Sequence, residues 1–320
     1  MKTNLLTVEQ CAELLLKQKS VGLICHTNSD GDTVGSAAAL CLLLRMQGVE
    51  TEVFCDSAID SNAQYFLPEG IEIKHSIDRN YSMLAAIDCA DIYRTGLLSG
   101  VFGAHANTLV IDHHAYAPFG RNYLWVEYSS TAEIILDISR VWNKKLDSQM
   151  ATQLFIGLSI DTGNFSHSNT NKHSFLSAAE LSQYNIDIAL INRVFYDRMT
   201  FTRAKLLGKV LSKMRRYYDG RFCLVYAARE DIESCGATKQ DASDIVDYAV
   251  NIEGCKIGAS LMEASPNVFK ISLRGDKTPV RDIAESFGGG GHLMAAGCQI
   301  SGVFEDVLEK LLKAVGDKLK

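Results

Sequence analysis

The sequence predicts an α/β protein of two domains, and three observations carry that reading. The first is length, since 320 residues are about twice what one hydrophobic core comfortably serves. The second is pattern: the first half alternates short apolar runs with amphipathic stretches, as a mainly parallel sheet flanked by helices requires. The third is a change after residue 216, where β-rich segments at 221–226, 255–262 and 268–273 alternate with helical patterns at 240–250, 279–287 and 303–319. The expected division is residues 1–195, a linker helix over 196–216, and a smaller α/β domain over 217–320.

Taken in order, residues 8–18 have the apolar spacing of an amphipathic helix, and Val21–Cys25 reads as a buried strand. A polar turn, Thr27–Asp32, leads into an alanine- and leucine-rich helix over Gly35–Met46. Strands are expected at 51–55, 83–87 and 107–111, each closed by an acid: Asp56, Asp88 and Asp112. Ligand sites of open α/β sheets form beyond the carboxyl ends of strands, so these acids are informative. Helices are expected near 131–145, 149–160, 172–184 and 187–195, and a long basic helix over 200–216. In that helix Leu206, Leu207, Val210, Leu211 and Met214 form an apolar stripe, and Lys205, Lys209, Lys213 and Arg216 a basic one. The basic stripe is either a solvated face or one wall of a phosphate-attracting cleft.

Composition narrows the function classes. Hydrophobic residues at 47% and charged residues at 22% exclude a disordered or fibrous chain. No run of 18 apolar residues offers a membrane span. The start, Met1-Lys2-Thr3-Asn4, lacks a signal-peptide pattern, so a cytoplasmic protein is expected. Nine cysteines, without any C-x-x-C pair, read as reduced core residues. The net charge is −6, but Arg193–Arg221 carries nine Lys or Arg against two Asp, leaving −13 elsewhere. A globally acidic protein is a poor non-specific binder of long duplexes.

Four segments carry chemistry. His26-Thr27-Asn28-Ser29-Asp30-Gly31-Asp32 puts an imidazole and two carboxylates at a strand end, with a glycine that permits a tight turn. Hard oxygen ligands with an imidazole suit Mn²⁺, Mg²⁺ or Fe²⁺, although an Asp-Gly-Asp segment alone is often only a turn. Asp88 closes the apolar run Ala85-Ala86-Ile87, where a carboxylate must be solvated, capped or liganded. Val110-Ile111-Asp112-His113-His114 follows another strand; adjacent histidines point to opposite faces, so one can ligate a metal while the other meets substrate. Asp161-Thr162-Gly163 ends a buried helix. Five carboxylates and two or three imidazoles exceed one ion's needs and suit two ions about 3.5–4 Å apart that share a carboxylate.

Far along the chain, Ile271-Ser272-Leu273-Arg274 precedes Phe287-Gly288-Gly289-Gly290-Gly291-His292 and Ala295-Ala296-Gly297. Consecutive glycines carry a large entropic cost, so a close approach to that backbone is expected. The reading is an anion site at N–H groups leading into a helix near His292, with Arg274 as a bidentate phosphate partner. His167 and His173 are read as surface or structural residues.

In order and spacing, His26-x-x-x-Asp30-x-Asp32, Asp88, Asp112-His113-His114 and Asp161 resemble the DHH phosphoesterase superfamily. Arg274 and the glycine tract resemble the C-terminal domain associated with it, and within the superfamily the chain is similar to the nano-RNase and pAp phosphatase group. The resemblance implies two Mn²⁺ ions, one on His26, Asp30 and Asp88, the other on Asp32, Asp88, His113 and Asp161. It implies that Asp112 orients a histidine and that His114 contacts the scissile phosphate. Arg274, Gly289, Gly290, Gly291 and His292 are implied to bind substrate in a cleft between the domains. The implied reaction is hydrolysis of short single-stranded RNA, linear dinucleotides or pAp by a hydroxide activated between two ions, in a homodimer.

Two departures bear on substrate handling: Ser29 stands where many relatives have proline, and Gly275 follows Arg274 where serine is common. A family II pyrophosphatase is disfavoured by the missing S-R-K-K-Q signature, and a RecJ-type exonuclease by length. A nucleotide-binding regulator without catalysis is disfavoured because every expected ligand is present.

Overall fold

A computed structural model describes residues 3–320. Met1 and Lys2, where the expected leaderless start begins, lie outside the described residues. The chain forms two compact units, one ending at Asp197 and one beginning at Arg198.

The first unit is built on a sheet of seven strands, β1 (Asn4–Leu6), β2 (Ser20–Cys25), β3 (Glu50–Phe54), β4 (Ile73–Lys74), β5 (Met83–Ile87), β6 (Thr108–Asp112) and β7 (Asn122–Trp125). They lie in the order β1-β7-β6-β5-β2-β3-β4, and every pairing is parallel. A parallel sheet covered on both faces needs strands that are apolar on both faces. β5 meets that requirement, with all five residues buried. After β2 the chain runs outward to β3 and β4, then returns to β5 on the other side of β2. The strand order therefore reverses between β2 and β5, and a crevice opens there at the carboxyl ends.

The helix after β2 spans Gly31–Met46 and starts four residues before the expected Gly35, with Asp30 as its N-cap accepting from the N–H groups of Asp32 and Thr33. Gly31 is thus a helical residue and not the expected tight turn. A Cβ there would lie 2.8 Å from both Ile156 Cγ2 and Ile160 Cγ1. Gly35 serves the same contact, since its Cβ would meet Gln153 O at 2.4 Å. Two glycines on one face let this helix press against the helix Ser148–Asp161, and the pair forms the centre of the first core.

The second unit has a mixed sheet of six strands, β8 (Arg215–Tyr217), β9 (Phe222–Ala227), β10 (Ile257–Ser265), β11 (Val268–Gly275), β12 (Gly290–Gly291) and β13 (Ala295–Ser301), in the order β12-β13-β11-β10-β9-β8. Phe269, Ile271 and Leu273 of β11 point into a core closed by the helices Arg281–Ser286 and Phe304–Leu319, while Lys270, Ser272 and Arg274 alternate to the other face. The basic helix is shorter than the sequence suggests. It spans Phe201–Leu211, and Arg215–Tyr217 is an edge strand paired with β9. The apolar stripe continues across that break, because Met214 also faces apolar neighbours. Leu206 and Val210 pack on Cys223 and Val225, so the helix is built into the second unit's core. Among the described residues no helix is long and apolar enough to cross a membrane.

Candidate metal centre

The carboxyl ends of β2, β5 and β6 deliver His26, Asp88 and the Asp112-His113-His114 segment to one crevice, and the helix Ser148–Asp161 ends there with Asp161. Asp88 is shared by three overlapping groups of possible ligand atoms: with His26 and Asp30, with Asp32, His113 and Asp161, and with His113 and His114. Its Oδ2 is 3.5 Å from His26 Nε2 and its Oδ1 is 3.4 Å from His113 Nε2. The backbone of Asp88 has φ 59°, a left-handed conformation costing a non-glycine residue about 1–2 kcal/mol.

Several features show that these groups suit cations. His26 Nδ1 faces Thr27 O at 2.9 Å and His113 Nδ1 faces Tyr128 O at 3.2 Å. A carbonyl only accepts, so both Nδ1 atoms carry the proton and each Nε2 is turned toward the carboxylates. Both Nε2 atoms are buried without a hydrogen-bond partner. His113 Nε2 lies 3.0 Å from Asp161 Oδ2 without a hydrogen bond between them. Two ligands of one ion, each at about 2.1 Å and about 90° apart, would be separated by about 3.0 Å. No lysine or arginine pairs with Asp30, Asp32, Asp88 or Asp161 among the described residues.

The electrostatics express the same shortage of positive charge. Burial, then the neighbouring Asp161, Asp88 and Asp30, pushes the Asp32 carboxyl well above its ordinary range, and burial likewise raises Asp161. Burial opposes a charge on His26, but the nearby carboxylates of Asp30 and Asp88, together with the Thr27 carbonyl on Nδ1, outweigh it and lift the imidazole to about 10. His113, also buried, is lifted to about 9 by Asp161 and Asp88. Protons and metal ions compete for the same atoms in such a site.

Asp112 is fully buried and accepts from the N–H of His113 at 2.9 Å, while His114 Nδ1 lies 2.8 Å from its Oδ1. Burial alone would raise its carboxyl, but the bonds from His114 hold it below the ordinary value, and they raise His114 in turn. The aspartate therefore stays charged and holds His114, whose side chain is 38% exposed, at the edge of the cluster.

Sequence reasoning missed the helix Thr131–Val141 as part of the site. The N–H groups of Thr131 and Ala132 donate to the two oxygens of Asp32 at 2.7 and 3.0 Å, and Ser36 Oγ donates to Oδ1 at 3.1 Å. These use three of about four lone-pair positions, leaving one on Oδ2. Thr131 Oγ1 donates to Asp88 Oδ1 at 2.9 Å. Glu133, fully buried, accepts from Ser129 N and Oγ and meets His173 Nδ1 at 2.8 Å, which fixes the turn whose Tyr128 carbonyl holds His113. His173 is thus structural. The signal was present as Ser130-x-x-Glu133, a helix-start pattern. Gly157 completes the setting, because a Cβ there would lie 2.4 Å from Asp32 Oδ1.

In the second unit, Arg274 Nε lies 3.2 Å from Asp247 Oδ1. The glycine tract differs from expectation, because no helix begins near His292. Gly290–Gly291 pairs with β13, and a tight turn follows in which His292 and Ala295 exchange backbone hydrogen bonds. The partner that approaches this backbone is the chain's own strand. A Cβ at Gly289 would lie 2.2 Å from Gly297 O, and at Gly291 2.6 Å from Ala295 O, whereas at Gly290 it would meet nothing within 4 Å. His292 is exposed.

Residues 20–158 match the DHH family, N-terminal domain, and residues 219–320 match the DHHA1 domain. The bifunctional oligoribonuclease and PAP phosphatase NrnA of Thermus thermophilus is 29% identical over 306 residues, covering 92% of this chain and 88% of that protein. The protein of the same name from Bacillus subtilis is 24% identical over 282 residues, covering 86% of this chain and 87% of its own. Among solved structures, an exopolyphosphatase-related protein from Bacteroides fragilis shares the fold, with a TM-score of 0.86 over 97% of this chain and 95% of its own at 24% identity. The chain belongs to the DHH phosphoesterases and carries their DHHA1 domain.

Proposed function

We propose that the protein hydrolyses short oligoribonucleotides and linear dinucleotides such as pApA to mononucleotides, and removes the 3′-phosphate of pAp to give AMP. The observation that supports this most is Asp88, whose two oxygens serve two separate ligand groups. His26, Asp30 and Asp88 would hold one divalent ion, and Asp32, Asp88, His113 and Asp161 the other, with Mn²⁺ as the proposed metal. When bound, such ions neutralise charge growing on the phosphoryl oxygens and acidify a water for attack.

The protein's own groups do the rest. Asp112 holds Nδ1 of His114 and favours the protonated ring, so Nε2 can donate to a phosphoryl oxygen and then to the departing nucleoside oxygen. Residues up to Asp197 are proposed as the catalytic part and the DHHA1 part as the nucleotide holder, through Arg274, Gly289, Gly290, Gly291 and His292. With the helix at His292 absent, the anion would be met by side chains and by the open face of Gly290. All nine cysteines are free and buried, which fits the reducing cytoplasm.

The deciding experiment is hydrolysis of pApA and pAp by metal-stripped protein with and without added Mn²⁺, resolved by chromatography. Release of AMP only when Mn²⁺ is present is the expected result. No turnover of either compound by protein with two bound ions would overturn the proposal.

A further inference from the structure

A recess of about 510 Å³ in the second unit lies on the sheet face opposite its main core, with Ser260 and Met262 of β10 and Lys270, Ser272 and Arg274 of β11 as its floor. The strand register places Ser260 beside Ser272 and Met262 beside Lys270, so hydroxyls, a thioether and two cations share one surface. Lys239 stands in the opposite wall. That wall is fastened by Arg203, which donates to the carbonyls of Asp241 and Ser243 at 3.0 and 3.2 Å. Three cations and one carboxylate, Asp244, line the recess. Arg274 is held by Asp247, but neither Lys239 nor Lys270 makes an ion pair or a side-chain hydrogen bond among the described residues.

We infer that this recess is a subsite for further nucleotides of a short single-stranded RNA, beyond the one held at Arg274. The inference rests on the proposed function and names its preference for chain length. Its volume is in the range of small-ligand sites, about 300–1,000 Å³. Lys270 and Arg274 are four residues apart on one strand face, roughly 13 Å at about 3.3 Å per residue. Cations spread over that distance match repeated phosphates better than a single one. Lysine ammonium groups act as point charges without sequence choice, and the serine hydroxyls can meet ribose or phosphate oxygens. The thioether of Met262 offers a soft surface for a base. Lys239 and Lys270 therefore discriminate a chain of several nucleotides from a compact bisphosphate.

The test compares the full-length protein with its K239A/K270A variant. Binding of a labelled pentanucleotide and of pAp is measured by anisotropy competition, with metal chelated so that no turnover occurs, over a series of salt concentrations. The expected result is an increase of about tenfold in the ratio of pentanucleotide Kd to pAp Kd, and a salt slope for the pentanucleotide smaller by about 1.4, two contacts at about 0.7 each for single strands. K239R/K270R should restore both. An unchanged slope and ratio, or equal weakening for both ligands, would overturn the subsite. Because no hydrolysis is involved, a failed pApA assay and a failed subsite remain separate outcomes.

Discussion

The two units handle their polar residues in opposite ways. In the first, ligands distant in sequence converge on one crevice because parallel strands end side by side there, and Asp88 accepts a strained backbone to face both groups. In the second, the equivalent residues are spread along a sheet face, and the glycine tract serves the chain's own packing at Gly289 and Gly291. Convergence builds a site with few replaceable parts. Spreading builds a surface whose parts act more independently.

The largest break in this comparison is Asp88→Asn. It removes the carboxylate charge common to both ligand groups, so turnover of pApA should fall by about 10³-fold or more and calorimetry should show both ions weakened. Loss of only one ion would mean that the groups do not share this residue. Next comes Thr131→Ala, which removes the hydroxyl bonded to Asp88. Metal affinity should drop by about 10–100-fold, and Thr131→Ser should recover it. Affinity equal to that of the native protein would leave the hydroxyl without a role.

A third measurement uses pH on metal-stripped protein. His26 and His113 are lifted to about 10 and about 9, above their unfolded value of about 6.5, so the folded state binds more protons. The stability they supply is complete below about pH 6.5 and is lost as pH rises through 9 to 10. Raised carboxyls at Asp32 and Asp161 act in the same direction. The melting temperature should therefore decline from pH 6 to 10 without metal, and added ions should flatten the decline. A melting temperature that rises over that range would contradict the charge balance described here.

The smallest effect sharpens the other side of the comparison. Gly289→Ala should destabilise the second unit by about 1–3 kcal/mol through overpacking against β13, while Gly290→Ala should be tolerated in the fold and change only nucleotide affinity. Equal destabilisation by both, read by denaturant unfolding, would remove the distinction between packing and open glycines.

The candidate ligand residues stood out because several strands end in acids, and buried carboxylates demand partners. Local sequence marked His26, Asp30, Asp32, Asp88, His113 and Asp161 as metal-competent groups, and the family resemblance assembled them into two candidate ligand sets. What supports them was less visible. The role of Gly31 depends on Ile156 and Ile160, which no local rule connects to it. The glycine tract was read for its cost in chain entropy, and the strand that meets that need lies just beyond a turn. Thr131 and Glu133 carried a readable helix-start pattern, but their bonds to Asp88 and to the Ser129 turn come from the tertiary fold.

The strand order also has a consequence for synthesis. β1, the first strand made, pairs with β7, joining Asn4 to Asn122, so the sheet's edge stays open until more than a hundred residues have left the ribosome. The candidate metal ligands are dispersed in the same manner, from His26 to Asp161. Non-local pairings of this kind slow folding and prolong exposure of apolar strands. An emerging chain can gather His26, Asp30 and Asp88 long before Asp161 is made, so early capture of a divalent ion would lock β2 beside β5 and shorten the interval in which the nascent sheet is open to misassembly.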